Sequence, residues 1–211
     1  MRIDKVTAFI TRKKDNVEEL LLILHPNAGI QIPAGTVEKG ESVEEALKRE
    51  ITEETGLRKI TIEKYIGSKE TKLKNDNFLV AEKTKVYSRP SSASFDWAEL
   101  RKGTNVKSIR ISGNYTQITY KEFDRFPDPN YLSYQITGWV PTVILSKKMR
   151  RHFFHVELNE KVQDEWEIFA DNHKFKLFWS SLTNLANIID PQYEWLKYVR
   201  YDLGYQFEKT I

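Results

Sequence analysis

The sequence predicts an α+β fold built as one domain with decoration. Apolar, β-branched runs recur along the chain, one capped amphipathic helix lies between them, and a second helical pattern comes near the C-terminal end. With 211 residues, 40% of them hydrophobic, the chain can bury one substantial core and is short for two. No internal repeat and no Pro/Gly/Ser linker divides it.

Taken in order, residues 6–12 and 20–25 read as strands joined through KKDNVEE, a polar connection that suits a hairpin. His25-Pro26-Asn27-Ala28-Gly29 is turn chemistry, and Ile30-Gln31-Ile32 then leads into Pro33-Ala34-Gly35, where the chain turns towards a helix. Ser42 followed by Glu45 makes a capping box at the start of that helix, and Gly56 supplies a left-handed stop. Beyond it, 59–68 (KITIEKYIGS) and 78–87 (FLVAEKTKVY) read as strands. Segment 88–130 mixes short β-like pieces with turns and reads as an elaboration on the core, with a lid or a dimer arm as the alternatives. Residues 131–146 read as buried structure interrupted by Gly138 and Pro141. Residues 151–158 and 175–182 read as strands, and Tyr193, Leu196 and Val199 share helical spacing, so a C-terminal helix is expected at about 187–200.

Composition removes several function classes. The chain has no cysteine, which excludes disulfides, thiolate metal sites and cysteine nucleophiles together. A net charge of +3, from 33 basic and 30 acidic residues, is too small to argue for nucleic-acid binding by bulk electrostatics. No apolar run approaches a membrane span, and MRIDKVTAFI lacks the layout of a signal peptide, so a cytoplasmic protein with no membrane partner is expected.

The chemistry concentrates in residues 35–57, GTVEKGESVEEALKREITEETGL. At about 100° per residue, Val43, Ala46 and Leu47 fall on one helical stripe, and Glu50, Glu53 and Glu54 continue it one turn further on. Glu44, Glu45 and Lys48 point the other way. Three carboxylates on the inward side repel one another and lose hydration, so they need protons or cations. A hard divalent metal with oxygen ligands is the simplest compensation.

The same stretch reads Gly35, five residues, Glu41, seven residues, Arg49-Glu50-Ile51, one residue, Glu53-Glu54, one residue, Gly56-Leu57. Every position matches the signature box of the Nudix hydrolases, which the chain therefore resembles. The resemblance is strong at the box and weaker over the rest of residues 6–199. It implies a Nudix-type α/β/α sandwich around a mixed β-sheet, a single Nudix domain over 1–211, and Mg2+ or Mn2+ as cofactor. The implied activity is cleavage of a pyrophosphate linkage in a nucleoside diphosphate joined to another moiety, such as a nucleotide sugar, dinucleotide or nucleoside triphosphate. By box position, Glu50, Glu53 and Glu54 resemble the metal ligands, with the Gly35 carbonyl beside a metal, and Glu53, Glu54 and Arg49 carry the catalytic role. Arg49 precedes Glu53 by one turn and can orient its carboxylate. Glu41 resembles a structural member of the box.

Many families recruit a further acidic residue from a later loop, and Glu157, Glu165 and Glu167 are candidates, the last two read as lying in a polar loop. Each alone is better explained as a surface glutamate. His152 and His155 flank Phe153-Phe154 at an odd separation, which puts them on opposite faces of a strand and argues against a shared metal. His25 and His173 carry no supporting context. Tyr65, Phe153, Phe154, Trp166 and Trp179 could stack on a base, although core packing is the commoner fate of strand aromatics. The region 71–74 (TKLK) has neither the proline nor the tyrosine that marks two known subfamilies, so the substrate stays open between nucleotide derivatives and a capped RNA end, the one nucleic acid not set aside. A homodimer is also left open. Two other readings stand beside the hydrolase: a Nudix-fold module that senses a nucleotide without turnover, and an isomerase acting on a diphosphate. The absence of cysteine counts against the isomerase.

Overall fold

The computed structural model describes residues 1–125, 128–170 and 173–204. Its centre is β1 (Arg2–Lys14), where Val6, Ala8 and Ile10 face one side, Phe9 faces the other, and all are buried. The chain reverses through Asp15 and Asn16, both at positive φ, into β2 (Val17–His25). Asn and Asp tolerate this conformation, and it matches the twist of a two-residue hairpin. The strands therefore run through most of KKDNVEE. β3 (Gly29–Gln31) folds back on β2, and β4 (Ala34–Thr36) pairs with the first half of β1. Then come α1 (Val43–Thr55) and β5 (Ile60–Lys72).

The chain next builds a second sheet from β6 (Asn77–Val80), β7 (Thr84–Tyr87), β8 (Asp96–Leu100), β9 (Asn105–Ser112), β10 (Tyr115–Phe123), β11 (Leu132–Pro141) and β12 (Leu145–Ser146). It returns to the first sheet with β13 (Lys148–Leu158), β14 (Glu165–Ala170) and β15 (His173–Ser181), and ends in α2 (Gln192–Val199).

The first sheet runs β14-β15-β2-β1-β13-β5, with β3 on β2 and β4 on β1. It is mixed, because β13 lies parallel to β1 while the other pairings are antiparallel. On one face Ala46, Leu47 and Ile51 of α1 pack on Val6, Ala8 and Ile10. On the other, Leu196 and Val199 of α2 pack on Phe9, Leu20, Leu22 and Phe153. The second sheet, ordered β12-β6-β9-β10-β11-β7-β8, is antiparallel throughout and holds its own core of Val80, Val86, Leu100, Val106, Ile118, Ile136 and Val140. Ile3 and Met149 from the first sheet meet Leu79 and Ala81 from the second at the junction. The protein is α+β and strand-dominated, at 55% strand against 14% helix among the described residues.

Three expectations change. Residues 78–87 form two strands, because the exposed Glu82-Lys83 pair turns the chain between β6, which pairs with β9 and β12, and β7, which pairs with β8 and β11. The second sheet begins at Asn77 and ends at Ser146, so it takes in 78–87 and 131–146 as well as the segment 88–130 expected to be an elaboration. Glu165 and Glu167 lie on β14 and not in a loop. No helix among the described residues is long and apolar enough to cross a membrane.

Candidate active site

α1 begins where the Ser42 side chain accepts from the Glu45 N–H and Glu45 reaches back to the Ser42 N–H, and it stops where Gly56 takes φ 75°. These caps fix which residues meet β4. The Glu54 carboxylate accepts the Ala34 N–H at 2.9 Å and the Glu50 carboxylate accepts the Thr36 N–H at 3.0 Å, so the two carboxylates bracket Gly35. A Cβ on Gly35 would sit 1.7 Å from Cδ of Glu50, and only glycine lets the helix come this close. Burial pushes the Glu50 carboxyl above the ordinary glutamate range, against the opposing pull of Arg49 and the Thr36 N–H.

Arg49 is the hub of the helix start. Its Nε and Nη2 donate to the two oxygens of Glu41 at 2.8 and 3.0 Å, and Nη2 also donates to the Thr36 carbonyl at 3.0 Å. Nη1 lies 2.9 Å from Glu50 and 3.0 Å from Glu53. The bidentate bond to Glu41 holds the guanidinium charged and pulls the Glu41 carboxyl down. Glu41 thus anchors Arg49, which ties the helix to β4 and holds the exposed Glu53 carboxylate.

Two cations missed in the sequence lie beneath. The parallel register of β1 and β13 sets Lys5 beside Arg151. Burial, followed by repulsion from Arg151, pushes the Lys5 amine down to about 8, with Glu50 opposing. Burial likewise pushes Arg151 down to about 10, with Glu54 opposing. Arg151 is buried, stacks 3.9 Å from the Trp195 ring centroid and donates to Thr7 Oγ1 at 2.9 Å. Among the described residues its Nε has no hydrogen-bond partner. The signal available in the sequence was a basic residue beside an apolar strand run, Lys5 before Val6 and Arg151 before Phe153.

The second sheet reaches this place through the loop after β8. Lys102 Nζ donates to the Val37 carbonyl at 2.6 Å, and Lys5 Nζ to the Gly103 carbonyl at 3.4 Å. Gly103 has φ 82°, and a Cβ there would lie 2.5 Å from Thr36 Oγ1.

Glu50, Glu53 and Glu54 share one helix face, yet among the described residues no three His, Asp or Glu side chains gather closely enough to hold a metal ion. Glu50 and Glu54 turn to the backbone of β4, and Glu53 turns to Arg49. In donor chemistry the set still suits a hard divalent cation, being all carboxylate oxygen with Gly35 leaving room at Glu50. Convergence on a cation requires Arg49 Nη1, which contacts both Glu50 and Glu53, to give way.

The remaining candidates lie elsewhere. Glu157 is six residues along β13 from Arg151, about 20 Å at strand rise. Glu165 pairs with Lys176 at 2.7 Å and Glu167 with Lys174 at 2.6 Å, all exposed. His152 lies between Asp4, at 3.1 Å, and the Tyr65 hydroxyl, at 3.0 Å, while His155 bonds Thr11 at 2.8 Å. Phe153 and Phe154 are core residues. Trp166 donates to the Thr55 carbonyl at 2.9 Å and so pins the end of α1, and Trp179 lies under Arg12. His25 and His173, which the sequence left without context, meet with ring centroids 4.9 Å apart.

A family model described as NUDIX domain matches residues 1–91, a range that contains β4, α1 and all three glutamates. No curated protein matches the chain.

Proposed function

We propose that the chain, whose residues 1–91 match the NUDIX domain model, is a Nudix hydrolase that cleaves a pyrophosphate linkage in a nucleoside diphosphate joined to another group, with Mg2+ or Mn2+ held by Glu50, Glu53 and Glu54 beside Gly35. The observation that carries the reading is the seating of Glu50 and Glu54 on the two N–H groups that flank Gly35. Divalent metal bound there would neutralise phosphate oxygens and acidify the attacking water. The chain's own residues do the rest. Arg49 holds Glu53 and Glu50 at fixed distance. Lys5 and Arg151 supply buried positive charge behind the carboxylates, where an anionic diphosphate would otherwise be repelled. Water would add at phosphorus and give up a proton to bulk solvent, while the bridging P–O bond breaks and the leaving phosphate takes the bonding electron pair.

One observation favours a nucleotide-sensing module without turnover, namely that Arg49 Nη1 stands between the Glu50 and Glu53 carboxylates, 2.9 Å from one and 3.0 Å from the other, where a shared cation would sit. A magnesium-dependent turnover screen separates the two. Wild type and Glu54→Gln are incubated with ADP-ribose, NADH, diadenosine polyphosphates, nucleotide sugars and oxidised nucleoside triphosphates, and products are separated by chromatography. Cleavage by wild type, reduced at least about 100-fold in the variant, is expected, since groups merely behind metal ligands are worth about 10–100-fold. Equal activity in Glu54→Gln sinks the assigned centre, and binding without cleavage establishes the sensor.

A further inference from the structure

A cavity of about 400 Å³ lies between the two sheets. His25 and His173 wall it from the first sheet, and Tyr120, Tyr134, Arg101 and Thr104 from the second. A larger space of about 750 Å³ elsewhere is lined by second-sheet residues alone, such as Asn77, Lys107 and Lys121, and touches no part of the first sheet. The smaller cavity is the one linked to the carboxylates, by packing of the loop after β8 on one wall and by the chain running from β2 to β4 on the other. Arg101 and Thr104 flank Gly103, which packs on Thr36, whose N–H holds Glu50. His25 opens the hairpin whose return through β3 leads to Ala34, whose N–H holds Glu54.

The lining has a definite chemistry. The rings of His25 and His173 lie 4.9 Å apart at their centroids, Tyr134 is about half exposed, and Leu100 and Ile136 close the floor with apolar surface. Aromatic rings on opposite walls, with the His25 and His173 rings tilted 54° to each other on one side and Tyr120 and Tyr134 on the other, suit a flat π-system. Glu99 and Glu122 reach the same cavity and, as carboxylates, can only accept hydrogen bonds when ionised, which suits a ring bearing N–H groups. Its volume falls within the range of about 300–1,000 Å³ typical of small-molecule sites.

We infer that this inter-sheet cavity takes the nucleobase end of the substrate, a planar nitrogen heterocycle with exocyclic or ring N–H donors, so that the second sheet acts as the specificity wall for the carboxylate centre on the first. The assignment rests on the hydrolase reading only for what lies at the other end of the ligand. The base site itself is a binding site whether or not the linkage is cut.

The test needs neither metal nor turnover. AMP, GMP, CMP and UMP are titrated into the full-length protein, and into Tyr134→Ala, while the histidine imidazole signals are followed by NMR, assigned through single His→Gln variants. At least one nucleotide is expected to shift His25 and His173 and leave His155, which sits on Thr11, in place. Tyr134→Ala is expected to weaken that binding about tenfold with an unchanged Tm, since stacking a base on an aromatic ring carries about that factor or more. Tyr134 is about half in solvent and belongs to no core cluster, so its truncation leaves the core alone. The inference is overturned if no nucleotide moves His25 and His173 at millimolar concentration, or if Tyr134→Ala binds as wild type does. An inactive chain that binds a nucleotide here refutes the hydrolase alone, and an active chain indifferent to Tyr134 refutes the base site alone.

Discussion

Lys5 stands at an unfavourable place for a charge. Its amine is pushed down to about 8, mainly by burial and then by Arg151, while the same group in the unfolded chain titrates near about 10.4. At pH 7 it is still mostly protonated, so the folded state bears the cost of a buried cation. That cost is complete below about 8 and is relieved as pH rises from there to the unfolded value. Lys5→Met is therefore expected to be more stable than wild type at pH 7 by about 1–3 kcal/mol, a margin reduced from the full shift because the side chain retains partial exposure. The margin should shrink towards zero by about pH 10, while turnover falls because the phosphate loses a counter-charge. Melting curves across that range check it, and a pH-independent margin would show that Lys5 is not buried as a cation. The carboxylates were legible at this scale and the cations were not. Glu50, Glu53 and Glu54 announce themselves through helical spacing within a fixed motif, but a lone basic residue in a strand reads as solvated until its neighbours across the sheet are known. Lys5 meets Arg151 only through a parallel pairing between segments some 145 residues apart.

Helix and strand are fitted to each other through a single missing side chain. α1 crosses β4 at Gly35, where Glu50 occupies the space a Cβ would need. Gly35→Ala must push the two elements apart or swing Glu50 off the Thr36 N–H, at a cost of about 1–3 kcal/mol typical of overpacking. Turnover should fall at least about tenfold with it, because the carboxylate is displaced from its support. A variant that melts and turns over like wild type would mean that Glu50 is placed by something other than this contact. Elements governed by local chemistry were legible. The capping box, the left-handed stop at Gly56 and the apolar runs of β1 and β13 all depend on residues within a few positions of one another. Hairpin details were less so: all of KKDNVEE reads as connection in the sequence, whereas the positive φ of Asp15 and Asn16 closes a two-residue turn and draws the strands in to Lys14 and Val17. β6 and β7 merged in the sequence because both are apolar, and the turn between them is set by partners brought from as far as β11 and β12.

The second sheet is where sequence reading ran out, for a reason that belongs to the whole molecule. Four of its strands, β6, β7, β8 and β12, have five residues or fewer, outward faces carry Lys, Arg, Glu and Tyr freely, and such short strands find their place through pairings such as Leu145 with Val80 that no local window contains. Its position nonetheless bears on the site, because the loop from Arg101 to Thr104 lies on β4 and both sheets share the Ile3, Leu79, Ala81 and Met149 contact. A cation bound at the carboxylates would thus act on a centre braced from two sides, and binding to the folded state alone must raise its stability. At a magnesium concentration about 100 times the dissociation constant the gain is about 2.7 kcal/mol. For a chain of this size that is a rise in Tm of about 5–10 °C. Displacing Arg49 Nη1 from Glu50 and Glu53 to complete the ligand set opposes binding, so it appears as a weaker dissociation constant. Glu54→Gln should abolish the shift, and Arg49→Lys, which loses the fork that grips Glu41 and Glu53 together, should alter the concentration at which it appears. A melting temperature flat across a saturating magnesium titration in the wild type would place the cation elsewhere or nowhere, and would leave the three glutamates to be explained by their bonds to β4 and Arg49 alone.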